Sequence, residues 1–209
     1  MAKPRRQPPQ PATAERAETG APSEIQPLLD GLVSSDAASR EQAHSDLLAM
    51  RFNATEPLVA ALATKDDRYR WKILMILSEI ADRRAAAGVI ACLRSSSPAI
   101  RIAAAQFLGD IGAAEAVDPL IDILKNNFND QAAVWVIQAL GKLADKRAVP
   151  LLVDTMHRTE SHAVRYTAIE ALAAIGDTGV IREIRRYTTD PSRHVQTRAL
   201  TALEKLSQV

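Results

Sequence analysis

The chain has 209 residues, a formal net charge of +1 and only 4% aromatic residues. Near-zero charge excludes a whole-molecule field that draws a protein to nucleic acid or to an anionic membrane. A single cysteine, Cys92, excludes an intrachain disulfide framework, and the apolar run ILMIL at Ile73 to Leu77 is far too short to span a bilayer.

Residues 1–22, MAKPRRQPPQPATAERAETGAP, alternate Pro, Ala, Arg, Gln and Glu without an apolar period. Such a segment has nothing to bury, so it predicts a disordered tail, locally extended at Pro4, Pro8, Pro9 and Pro11. Its basic start is not followed by an apolar stretch, so no secretory leader is expected and a cytoplasmic protein is the default.

From Ser23 onward the chain repeats, and residues 23–209 are expected to form one domain. GDIGAAEAVDPLIDIL begins at Gly109, GKLADKRAVPLLVDTM at Gly141 and AAIGDTGVIREIRRYT at Ala173, successive starts lying 32 residues apart. A register set on Pro27, Pro57, Gly88, Pro119, Pro150 and Ile181 advances by 30 and then by 31 residues, which gives six units. Each unit holds two helical patterns. In the fourth, VDPLIDILKN carries apolar Leu120, Ile121, Ile123 and Leu124, with Pro119 in the first turn where a missing amide donor costs little. QAAVWVIQALGKLA follows it, longer and alanine-rich.

Capping residues mark the starts of the second helices. Ser97 precedes Pro98, Asp190 precedes Pro191, Asp130 and Ser161 sit at matching places, and Asp66 or Asp67 serves unit two. Ser23 and Gln26 have capping-box spacing at the start of unit one. Short turns force each helix pair to be antiparallel, and a lone pair cannot bury both its apolar faces. The predicted fold is therefore all-α: an α-solenoid of about six antiparallel helix pairs with a 31-residue repeat. The ends read as more soluble caps. AASREQAHSDLLAM is polar over its first half, and GVIREIRRYTTD keeps only the stripe Val180, Ile184 and Tyr187.

The second helices share a pattern: IRIAAAQFLGDIG from Ile100 and VRYTAIEALAAIGD from Val164. Val or Ile is followed by Arg, then Ala, then ALG or its equivalent, then IGD or LAD, then Ala-Val and Pro-Leu. With these elements the chain resembles the short, alanine-rich HEAT-like repeats found in phycobilin lyase subunits and in many bacterial and archaeal proteins. The resemblance covers residues 23–209 and implies an α-solenoid. It also implies one of several roles, because such repeats serve adaptors, assembly factors, lyase subunits and some enzymes.

The residues themselves point to no catalytic site. A di-iron hydroxylase on this scaffold needs His-Glu pairs in several units, and none of His44, His157, His162 and His194 is followed by Glu. They read as surface polar residues, Cys92 reads as a small buried hydrophobe, and no metal or cofactor is expected. No glycine-rich phosphate loop is present, since the glycines sit at repeat boundaries where helices end.

The surface is left to carry function. Aligning units two to six on Leu77, Leu108, Leu140, Leu172 and Leu203 assigns a buried row of Ile73, Ala104, Val136, Ala168 and Ala199. Two groove-facing rows precede it: Trp71, Ile102, Val134, Tyr166 and Thr197, and Lys72, Ala103, Trp135, Thr167 and Arg198. Met75, Gln106, Gln138, Glu170 and Thr201 follow. Both tryptophans fall in these rows, and an exposed aromatic stripe marks an interaction surface. In the alternative, Trp71 and Trp135 tuck between second helices and complete the core. Arg40, Arg70, Arg101 and Arg165 share one repeat position and predict a ladder to a turn Asp or carbonyl of the neighbouring unit, or else positive charge in the groove. Arg182, Arg185, Arg186, Arg193 and Arg198 make unit six basic, suited to an acidic partner or phosphates.

The expected function is a non-enzymatic scaffold that binds a protein partner in a concave groove lined by the second helices, as a monomer or in a partner-dependent complex. The alternative, implied by the resemblance alone, is a subunit related to phycobilin lyases, acting with a partner subunit. A nucleic-acid-binding solenoid is the third reading and wants a continuous basic groove.

Overall fold

The computed structural model describes residues 25–64, 66–127 and 131–208. The expected tail over residues 1–22, the Ser23 half of the capping box and the Asp130 cap lie outside them. Twelve α-helices stack in pairs, with no strand among the described residues. The pairs are α1 (Gln26–Leu32) with α2 (Ala37–Met50), α3 (Thr55–Ala61) with α4 (Asp67–Ile80), and α5 (Ala86–Cys92) with α6 (Pro98–Asp110). They continue as α7 (Val117–Asn127) with α8 (Ala133–Leu143), α9 (Val149–Arg158) with α10 (His162–Ile175), and α11 (Ile181–Arg185) with α12 (Arg193–Leu206). A turn of 3₁₀ helix leads into every first helix after α1.

Local hydrogen bonds explain the starts of the second helices. Asp36 accepts from the Ser39 amide at 2.7 Å, Asp66 from those of Arg68 and Tyr69, and Ser161 from that of Val164. One expected cap lacks its bond and another is displaced. Ser97 stands at the cap of α6 without a side-chain bond to the helix, and α12 starts after Ser192, not after Asp190. The reason is a turn in which a side chain accepts from the amide two residues on: Ser34 from Asp36, Thr64 from Asp66, Ser95 from Ser97, Thr159 from Ser161, and Asp190 from Ser192. The inter-helix turn is thus a repeated element with its own chemistry.

The core follows the repeat. Leu29, Leu58, Val89, Leu120, Leu152 and Ile184 form one row on the first helices, each 0% exposed. Leu47, Leu77, Leu108, Leu140 and Leu172 form the matching row on the second helices, and Ile73, Ala104, Val136, Ala168 and Ala199 are buried as the alignment expects. The first-helix row shows that the period lengthens from 31 to 32 residues after Leu120, so Arg182 rather than Ile181 takes the place of Pro150.

Small residues set the distance between second helices. A Cβ on Gly109 would lie 2.9 Å from the Ala139 Cα, and one on Gly141 would lie 2.9 Å from the Ala171 Cα. These glycines recur inside helices because the next helix passes at backbone contact, not because a helix ends there. The ends are made one turn later, where Gly112 and Gly176 take positive φ; Ala81 and Ala144 take it in the equivalent places.

Aspartates after those ends tie unit to unit. Asp82, 8% exposed, accepts from the Thr55 hydroxyl at 2.7 Å and from the amide and guanidinium of Arg84, which also reaches the Phe52 carbonyl. Asp145 holds Arg147, which bridges back to Asp118 at 2.8 Å. The Arg84 side-chain hydrogen bond, with further help from the Arg84 amide and the Thr55 hydroxyl, lowers the Asp82 carboxyl from 3.8 to about 2. A folded value below the unfolded one contributes stability that is full above the unfolded value and disappears as pH falls through the folded one. Asp82→Ala is therefore expected to cost about 2 kcal/mol at pH 7. In urea melts, the gap to the wild-type chain should close between about pH 4 and pH 2; a gap that persists at the acid end contradicts this role.

Candidate functional site

The second helices present a continuous outer face. Met75, Gln106, Gln138 and Thr201 are exposed along it, with Glu170 half-buried. One turn earlier stand Trp71, 39% exposed, the half-buried Ile102, Val134 and Tyr166, and exposed Thr197. The companion row is corrected by the structure: Ala103 and Thr167 are buried, and Trp135 is half-buried against the core. Its residues lie one helical turn before Ala139 and Ala171, which touch the preceding helix, so this row leans on the preceding unit instead of facing outward. The two tryptophans thus divide between the two readings open in the sequence: Trp71 at the surface, Trp135 in the packing.

At the N-terminal end of this face a cleft of about 350 Å³ opens between α2 and α4. Leu32 and Ile76 form its buried floor; Trp71, Lys72 and Met75 form one wall, and Ala37, Glu41 and His44 the other. The reason is His44. It occupies the position that is filled by fully buried Leu74, Ala105, Ile137 and Ile169 in units two to five, and it turns to bond Glu79 at 2.8 Å. Where the other second helices meet on an aliphatic side chain, α2 and α4 meet on an imidazole–carboxylate pair. The Lys72 ammonium lies 5.3 Å from the centre of the Trp71 ring, so this wall offers an aromatic surface and a cation together.

The shared arginines act mainly within their own units. Arg40 donates to the Ser34 and Ser35 carbonyls, Arg101 to those of Ser95 and Ser96, and Arg165 to that of Thr159. Gln196 does the same for the Asp190 carbonyl. Two of the arginines also reach the next unit's turn: Arg70 bonds the Ser95 hydroxyl, and Arg165 bonds Asp190 at 3.3 Å.

In unit six, Arg186 pairs with Glu183 and Arg198 with Glu170, while Arg182, Arg185 and Arg193 are exposed. Arg198 and Glu170 border a second, smaller cleft of about 210 Å³ with Thr201 and Lys205. Sequence reasoning missed a cluster on the first helices, in which His157 of α9 lies 3.0 Å from Glu183 of α11 and 2.7 Å from the Tyr187 hydroxyl. These partners come from different units, so no local spacing reveals them. Cys92 is buried, and burial raises its thiol.

No group of three or more His, Cys, Asp and Glu among the described residues fits a metal ion. No helix among them is long and apolar enough to cross a membrane.

A family model for HEAT repeats matches residues 55–135 and 117–204. The chain belongs to the HEAT-repeat family. Deoxyhypusine hydroxylase of Bos taurus is 34% identical over 90 residues, 41% of this chain and 30% of that protein. Phycocyanobilin lyase subunit alpha of Picosynechococcus sp. is 31% identical over 150 residues, 62% of this chain and 54% of that protein. The chain therefore spans less than a third of the first relative's length and about half of the second's. Among solved structures, the complex of CpcE and CpcF of phycocyanin lyase from Nostoc sp. matches with a TM-score of 0.60 at 22% identity, covering 90% of this chain and 78% of that one. The solenoid fold read from the repeats is also the fold of the matching chain in that Nostoc complex. The expectation of a non-enzymatic chain is overturned: one relative is named as an enzyme and another as a lyase subunit.

Proposed function

We propose that this chain is one subunit of a two-component assembly of the phycobilin lyase kind, with its second-helix face turned toward the partner subunit or the chromophore. The observation that carries the reading is the match to phycocyanobilin lyase subunit alpha, which covers 62% of this chain. The α2–α4 cleft supports it: a preformed, partly apolar recess with an aromatic wall binds without much ordering of the chain. The nucleic-acid reading finds no such support. Lys142 pairs with Asp110, Arg198 pairs with Glu170 and Lys72 sits on Trp71, so the face offers no continuous basic track.

The test replaces CpcE of the Nostoc lyase with this chain. Mixed with CpcF, it should elute as a complex and support covalent attachment of phycocyanobilin to apo-phycocyanin. Trp71→Ala should weaken the complex by about 2 kcal/mol, roughly thirtyfold, as a central aromatic anchor does. Its thermal stability should fall by only about 0.5 kcal/mol, as for a surface substitution. Failure of both complex formation and bilin transfer would remove the reading.

A further inference from the structure

We infer that His157 is a proton-operated clamp between units five and six. With both ring nitrogens protonated it holds the two units through a chain of three hydrogen bonds, and the neutral ring can keep only two of them. The inference lies outside the lyase reading and does not depend on it.

His157 stands in the last turn of α9, and its Nε2 lies 3.0 Å from a Glu183 carboxylate oxygen on α11. Its Nδ1 lies 2.7 Å from the Tyr187 hydroxyl, which also lies 3.2 Å from the Met156 carbonyl. That carbonyl belongs to the last turn of α9, where carbonyls lack donors further along the helix. Counting protons separates the possible forms of the ring. The hydroxyl has one proton to give, and a carbonyl and a carboxylate only accept. The full chain therefore needs Tyr187 donating to Met156, Nδ1–H donating to Tyr187 and Nε2–H donating to Glu183. That ring carries two protons and a positive charge. A neutral ring that keeps Nε2–H for Glu183 takes the Tyr187 proton on Nδ1 and strips the Met156 carbonyl. A neutral ring with its proton on Nδ1 turns a lone pair toward the carboxylate.

The surroundings suit the charged ring. It sits at a helix C-terminus, where the backbone dipole attracts a cation, and Glu183 bonds it directly. The other charges that face the cluster are paired: Arg186 with Glu183 itself, Arg165 of α10 with Asp190, and Arg158 with Asp154 on α9. His162 of α10 lies against Arg165 and not against His157. Burial raises the Tyr187 phenol, so it keeps its proton throughout the range in which an imidazole titrates. A proton held by the folded chain adds stability on the acid side, and that stability is lost as pH rises. Unit six is thus held more firmly at low pH.

Hydrogen exchange of the full chain at about pH 5.5 and about pH 8 reads the clamp. Protection of the amides of residues 181–190, corrected for intrinsic exchange, should be at least about fivefold higher at the acid end. His157→Gln should abolish that rise. Tyr187→Phe, which removes the acceptor of Nδ1–H, should lower it at least about twofold. Ring nitrogen NMR shifts of His157 should show two N–H groups at the acid end and one, on Nε2, at the alkaline end. Equal protection at the two pH values, a rise unchanged in either variant, or an alkaline ring with its proton on Nδ1 would overturn the proposal.

Discussion

Phe107→Ala is expected to cost about 4 kcal/mol of stability. Among the described residues, Phe107 is the largest fully buried side chain and the only buried phenylalanine, in an interior filled mostly with leucine and alanine. It precedes the core leucine Leu108, on the face of α6 that leans on the preceding unit. The helix α4, which packs against α6, carries fully buried Ile73, Leu74, Ile76 and Leu77. Truncation leaves a void where two units meet, and helices whose spacing is fixed by backbone contact close poorly over it. Because repeat stability is a sum of unit and interface terms, the loss should broaden the urea transition as well as shift it. An unchanged midpoint would show that Phe107 is not a wedge between units.

Gly141→Val is expected to cost about 3 kcal/mol, by overpacking and not by a void. The first atom of any side chain at this site would meet the Ala171 Cα at 2.9 Å and its Cβ at 3.0 Å, so a backbone has to move. Alanine should already be harmful and valine worse, which reverses the usual gain in helix propensity when glycine is replaced within a helix. Chemical denaturation of both variants tests the order. A Gly141→Ala variant more stable than the wild-type chain would contradict the close approach of α8 and α10.

The fold was legible because a solenoid writes its architecture into a period. The leucine row and the alanine-rich row of the second helices could be read from spacing alone, and both are buried except at Leu203, which is half-buried. What spacing could not give was the direction in which a row leans. Lys72, Ala103, Trp135 and Thr167 share a position that an isolated helix would expose, but the preceding unit covers most of it. The turns were half legible: Asp66 and Ser161 were correct as caps, while Ser95 and Asp190 act two residues ahead of the expected bond. The α2–α4 cleft was illegible for a different reason. His44 is an unremarkable residue of a polar helix until register places it in a row of buried aliphatic side chains, opposite Glu79.

The functional account rests on the second-helix face, and Trp71 reports on it directly. The chain has two tryptophans, so Trp135→Phe leaves Trp71 as the only indole. The emission of that variant should lie near that of indole in water and be readily quenched by iodide. On addition of CpcF, under conditions in which the complex forms, it should shift to the blue and become protected from iodide. A complex that forms while Trp71 emission stays unshifted and fully quenchable would contradict the account, because the partner would then be held somewhere other than this face.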